Sequence, residues 1–231
     1  MKSLLIILFI MFFSSDVNAI SGGIDADRQP YMASILSGYM KCSGVLIHQE
    51  FVLTARHCLS ELTQVIDVIV GDYDRSIVDG EVPIRVSRAF TFDIDLALLQ
   101  LEREENLEHV TPIRIITDIY QTEEYQLFGW GLLDNLQPAT KLQTITQIKG
   151  EAYNHRVICT YNIDNSSINH GDSGGALIAN NVLVGVIITM WKKNEYRRSC
   201  SIDLLNYYQQ IEEIILEYQH ENKFYLPIGA T

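Results

Sequence analysis

The chain has 231 residues, 47% of them hydrophobic and 20% charged, a composition ordinary for a globular protein. A formal net charge of −12 argues against nucleic acid and anionic membranes as partners, because either needs a concentrated basic face. The length suffices for one large all-β domain or two smaller units with a real core.

At the N-terminus one Lys precedes the apolar run Leu4 to Phe13, and a polar stretch then leads to the small-residue site Val17-Asn18-Ala19. This layout predicts a secretory signal peptide over residues 1–19, too short a run for a membrane span, and a secreted, extracellular mature chain beginning at Ile20. β-Favouring runs then recur between turn signals: "YMASIL" at 31–36, "CSGVLI" at 42–47, "VIDVIV" at 65–70, "EVPIRV" at 81–86, "LALLQL" at 96–101, "YQLFGW" at 125–130 and "VLVGVIIT" at 182–189. Many short strands and few helical periods predict a sandwich or barrel rather than a βαβ fold. The acidic stretch 102–112 is the best crossover between two halves, and Lys192, Lys193, Arg197 and Arg198 read as a solvated loop. The exception is the end, "DLLNYYQQIEEIILEYQH" at 203–220, where apolar residues recur every three or four positions and predict a helix capped by Asp203.

Four cysteines in a secreted chain favour two disulfides over a metal site. No Cys-x-x-Cys occurs, and the histidines at 48, 57, 109, 155, 170 and 220 show no paired ligand spacing, so no metal is expected.

The segment "HGDSGGAL" at 170–177 sets Ser173 between an aspartate and two glycines. Alone it reads equally well as a turn, because Gly, Asp and Ser are turn residues for local backbone reasons. A nucleophilic serine needs a base and a group to orient the base, and these can lie anywhere in the sequence. His57 lies in "VLTARHC", directly after a strand, and Asp95 in "FDIDLALLQL", an acid at the mouth of an apolar strand where burial is costly without a partner. Asp93 is the rival for the acid.

The segments "ISGG" at 20–23, "CSGVLI…FVLTARHC" at 42–58, "DLALL" at 95–99, "GWG" at 129–131 and "GDSGG" at 171–175 resemble the chymotrypsin-like (trypsin-fold) serine proteases, in that family's order and over nearly the whole mature chain. The resemblance implies an all-β fold of two six-stranded antiparallel Greek-key barrels, about 20–105 and 106–202, with a C-terminal α-helix at about 203–220. It implies Ser173 as nucleophile, His57 as base, Asp95 as the group that orients it, and the N–H groups of Gly171 and Ser173 as oxyanion hole. It further implies an activation pair between the amine of Ile20 and Asp172, a Cys42–Cys58 disulfide, and no cofactor. Partners would be a protein or peptide substrate and protein protease inhibitors, and the enzyme would be monomeric.

Several residues depart from the family's pattern. Arg56 stands beside the base, where it would occupy the cleft rim or point into solvent. Ile188-Thr189-Met190 replaces the usual Ser-Trp-Gly, so Met190 would fill a pocket wall. The pocket base falls at Ser167 and not on an aspartate, and Arg197 falls on the opposite wall, which together favour small or acidic residues over Lys or Arg. The upstream partner of Cys159 is missing, as is the pocket disulfide, with Asn169 at one of its positions; the resemblance places Cys200 on a strand that pairs with that of Cys159, and so implies a Cys159–Cys200 disulfide. The sequon at Asn165 is expected to carry no glycan, since a sugar there would hinder substrate. Arg56, Ile188 and Met190 also motivate a second reading, a secreted homologue that binds a partner with little turnover.

Overall fold

Apolar runs of four to eight residues separated by turns cannot each bury a face alone, and here they do so by closing into barrels. The computed structural model describes residues 20–38, 40–59, 65–77, 83–102, 110–119, 121–152 and 154–223. The expected signal peptide and most of the 102–112 crossover lie outside the described residues.

The first barrel is formed by β2 (Met32–Ser37), β3 (Met40–His48), β4 (Phe51–Thr54), β5 (Ile66–Val70), β6 (Ile84–Thr91) and β7 (Ala97–Leu101), closed in the order β2-β3-β4-β7-β6-β5. The second contains β8 (Glu124–Gly129), β9 (Gln143–Lys149), β10 (Val157–Tyr161), β11 (Ala176–Ala179), β12 (Val182–Lys193) and β13 (Tyr196–Asp203). Its order β8-β9-β10-β13-β12-β11 returns to β8 and repeats the Greek-key order of the first. The short β1 (Ile24–Asp25) pairs with β9, so this first strand lies on the second barrel, not the first.

The named apolar runs fall on strands β2, β3, β5, β6, β7, β8 and β12, while β9 and β10 fall on none of them and β13 includes part of the segment read as a loop. β6 extends beyond the expected run because Arg88 to Thr91 pair with β7 although their side chains are polar or half-exposed. That pairing makes a tight loop over 92–96, which carries both Asp93 and Asp95.

The C-terminal helix departs from the predicted one. Asp203 accepts a hydrogen bond from the Leu205 N–H (3.1 Å), capping a 3₁₀ turn over Leu204–Asn206, and α1 (Tyr208–Lys223) starts only afterwards. Tyr207 breaks the two apart: its φ of −126° is not helical, and its buried ring meets Phe92 edge-on. Ile211 is buried, and Tyr218 packs edge-on against Phe51 at 5.3 Å, so α1 lies against the first barrel. Among the described residues no helix is long and apolar enough to cross a membrane.

Candidate active site

His57 sits in a 3₁₀ turn over Arg56–Cys58 at the end of β4, and Asp95 in the β6–β7 loop; pairing of β4 with β7 brings the two ends together. The Asp95 carboxylate binds the histidine at two points, Oδ2 to Nδ1 at 2.7 Å and Oδ1 to the backbone N–H at 2.8 Å. Burial tends to raise the Asp95 pKa, but the hydrogen bonds from the His57 ring and backbone, with the charges of His57 and Arg56, outweigh it and hold the carboxyl below its ordinary value. Asp93 instead pairs with Arg156 at 2.7 Å and does not meet the imidazole. The Arg56 guanidinium donates to the Phe92 carbonyl (3.3 Å), which directs it along the β6–β7 loop.

Ser173 lies in the turn before β11. The first barrel hydrogen-bonds this turn through Ser43, whose N–H donates to the Ser173 carbonyl (2.8 Å) and whose hydroxyl donates to the Gly171 carbonyl (3.1 Å). Gly171 has φ +99°, in the region side chains disfavour, and a Cβ on Gly174 (φ +83°) would collide with the Ser43 carbonyl and the Thr54 hydroxyl. Among the described residues the N–H groups of Gly171 and Ser173 have no hydrogen-bond acceptor. Cys58, next to His57, brings its sulfur within 3.7 Å of the Ser173 carbonyl, and N–H donors left open in such a turn are of the kind that can hold a carbonyl oxygen as it becomes an anion.

Asp172, inside that turn, is fully buried. Its carboxylate accepts from the N–H groups of Gly131 and Asn169, both at 2.7 Å, yet burial pushes its pKa up to about 7 despite those bonds and the charge of Arg75. The Ile20 side chain is buried too, and Ser21 bridges to Ser167, with the Ser167 N–H donating to the Ser21 carbonyl (2.9 Å). Residues 20 and 21 therefore dock on the stretch that leads to Asp172.

Ser167 is buried, and its hydroxyl has no partner among the described residues. In the β12–β13 ladder Met190 stands opposite Ser199 and Lys192 opposite Arg197, so these four side chains share one face, while Trp191 and Arg198 share the other. Arg198 does not lie free in a loop: it packs over the rings of Trp191 and Tyr161. The segment read as a solvated basic loop is thus the end of a hairpin, which a run of alternating charges and aromatics conceals. Asn165 is exposed, and its Oδ1 accepts from the Arg197 N–H (3.1 Å).

The disulfides are Cys42–Cys58 and Cys159–Cys200. The second joins directly opposed residues of β10 and β13. Cys42, Cys58 and His57 bring their donor atoms within 4.8 Å of one another, but both sulfurs are spent in the disulfide, so the cluster is no metal site. At the position of the missing pocket cysteine, the Asn169 amide donates to the Leu132 carbonyl (3.1 Å). Sequence reasoning gave no role to Ser43, although it lies in the matched segment 42–58, or to Arg75, which stands in no motif; each is found only through the segments it joins.

Two Greek-key barrels with a histidine, an aspartate and a serine-bearing turn at their seam define a chymotrypsin-like serine protease. The trypsin family model matches residues 20–215, and the chain belongs to that family. It is 28% identical to mouse cathepsin G over 80% of this chain and 81% of that protein, and 27% identical to human granzyme B over 80% and 86%. It is 30% identical to horse kallikrein-1E2 over 76% and 80%. Mouse neuropsin shares the fold, with a TM-score of 0.76 at 21% identity over 85% of this chain and all of the other. The protein is a serine endopeptidase and acts on protein substrates.

Proposed function

We propose that the protein is a secreted endopeptidase in which Ser173, His57 and Asp95 form the catalytic triad, with a preference for small or acidic residues on the acyl side of the scissile bond (P1). The observation that carries the reading is the two-point bond between Asp95 and His57 beside a turn whose two N–H groups have no acceptor. With Nδ1–H committed to Asp95, Nε2 of the neutral ring is the basic nitrogen. Ser173 Oγ attacks the carbonyl carbon and passes its proton to Nε2, and Asp95 stabilises the resulting imidazolium. The N–H groups of Gly171 and Ser173 hold the oxyanion, and His57 returns the proton to the leaving amine. Water then repeats the sequence on the acyl-enzyme, freeing the acid and Ser173.

The P1 preference rests on Ser167, Met190 and Arg197. Met190 narrows the pocket, the unpartnered Ser167 hydroxyl can donate to an acidic tip, and Arg197 with Lys192 supplies positive charge on the same face. Activation rests on Ile20 and Asp172: residues 1–19 are removed as a signal peptide, the new ammonium enters the protein and pairs with the buried carboxylate. Because Ala19 precedes Ile20, either signal peptidase itself releases Ile20 or a non-tryptic peptidase trims a short remnant; no trypsin-like cut can do so.

The test is labelling of the secreted protein with a phosphonofluoridate serine probe. Wild type should label and Ser173→Ala should not. Absence of labelling, with no hydrolysis of any peptide library, would overturn the reading in favour of a protease homologue that binds without turnover.

A further inference from the structure

The seam between the barrels holds a charge cluster that the triad does not use. Arg75, its side chain 16% exposed, stacks over the Trp130 ring (4.5 Å from guanidinium carbon to ring centroid). Its Nε donates to the Ser34 hydroxyl (2.8 Å) and its Nη2 to the Cys42 carbonyl (3.2 Å). Asp72 completes the cluster: its carboxylate accepts from Ser34 (2.6 Å) and lies 3.6 Å from the Arg75 Nε. The backbone N–H of Arg75 donates to the Thr140 carbonyl of the second barrel (2.7 Å).

Two of the groups that Arg75 contacts, the Cys42 carbonyl and the Trp130 ring, are each one residue from a group that holds the serine turn. Cys42 precedes Ser43, which binds the carbonyls of Gly171 and Ser173. Trp130 precedes Gly131, whose N–H binds Asp172 Oδ1. Two contact routes from one guanidinium thus meet at the same turn, one from each barrel.

Resting on the triad reading above, we propose that Arg75 is a positioning residue for the Gly171–Ser173 turn: it fixes both segments that grip the turn, and its positive charge acts on Asp172. Asp172 is otherwise satisfied there by the backbone N–H groups of Gly131 and Asn169, and after cleavage by the amine of Ile20. Asp72, the other charge beside Arg75, offsets part of the guanidinium charge. The positive field of Arg75 lowers the Asp172 pKa, which opposes the effect of burial. Arg75 thereby keeps the carboxylate ready for the ammonium at neutral pH.

The experiment compares Arg75→Gln, which removes the charge, with Arg75→Lys, which keeps it. Both are made in an Asp72→Asn background so that no uncompensated acid is left beside the site, and each is repeated with Asp172→Asn. The first readout is the pH dependence of Tm in the full chain. In the uncharged Arg75→Gln variant the fall in Tm between about pH 4 and 8 should be steeper than in the background, Arg75→Lys should restore the background slope, and Asp172→Asn should abolish the difference. Parallel profiles for Arg75→Gln and background, an Arg75→Lys profile like that of Arg75→Gln, or a difference that survives Asp172→Asn would each overturn the proposal. The second readout is kcat in the processed enzyme, expected to fall about 10- to 100-fold with Arg75→Gln as the turn loses its position, and less with Arg75→Lys. An unlabelled, inactive wild type would overturn the triad reading alone, because the melting profiles decide the role of Arg75 without activity.

Discussion

Asp95 meets His57 through both carboxylate oxygens, one on the ring and one on the backbone, and this double contact fixes the imidazole against rotation as well as translation. Two residues away, Asp93 faces Arg156. Asp95→Asn should therefore lower kcat by about 10⁴, as expected when the tautomer is lost. Asp93→Asn removes an exposed pair and should change kcat less than about 5-fold. Steady-state kinetics on the two variants distinguishes the acids; equal losses would contradict the assignment.

The pH window over which stability is lost should move upward on cleavage before Ile20. In the uncut chain burial raises the Asp172 pKa to about 7, so the folded state holds its proton more tightly than the unfolded state does. That stabilisation is full below the ordinary carboxylate value of about 3.9 and is lost as pH rises through about 7. After cleavage, pairing with Asp172 should raise the Ile20 amine above its usual ~7.7–8.0, giving stabilisation that is complete below that value and lost as pH rises through the raised one. Thermal melts of both forms from pH 4 to 10 check this, and N-terminal sequencing of the active protein should begin at Ile20.

Activity should follow the same pair. Asp172→Asn should nearly abolish peptide hydrolysis while His57 and Ser173 remain, and wild-type activity should fall reversibly in alkali. An Asp172→Asn enzyme with full kcat would exclude the inserted-terminus mechanism.

A positional-scanning peptide library reads the pocket. Substrates with Asp, Glu or small residues at P1 should exceed those with Lys, Arg or Trp, and Arg197→Gly should lower kcat/KM for acidic P1 by roughly 10- to 100-fold, the loss of one charged hydrogen bond. Lys192→Ala should add a smaller loss. A profile led by Arg or Lys would remove Arg197 and Ser167 from the pocket.

The disulfide between β10 and β13 closes a loop over a sequence separation of 41. Replacing Cys159 and Cys200 together by Ser should cost about 2–4 kcal/mol in denaturant unfolding, with the Cys42–Cys58 disulfide intact. Because this pair lies on the face of Trp191 and Arg198, the P1 profile should not change.

Much of the protein is set by local sequence. Alternating apolar runs are enough to place strands, because a β face is buried or exposed with period two whatever its partner. A Gly-Asp-Ser-Gly-Gly turn needs particular backbone angles, which only those residues supply cheaply. The motifs around His57, Asp95 and Ser173 are legible for that reason. What the sequence could not decide depends on contacts between distant segments: that β1 joins the second barrel, that Tyr207 interrupts the terminal helix, and that Arg198 is packed while Arg197 stands exposed on the other face of the hairpin. Arg75 belongs with these. Nothing in "GDYDRS" separates it from a surface arginine, and its surroundings arise only when β2, β3 and the Trp130 segment close over it, since burial and charge coupling are properties of the assembled seam.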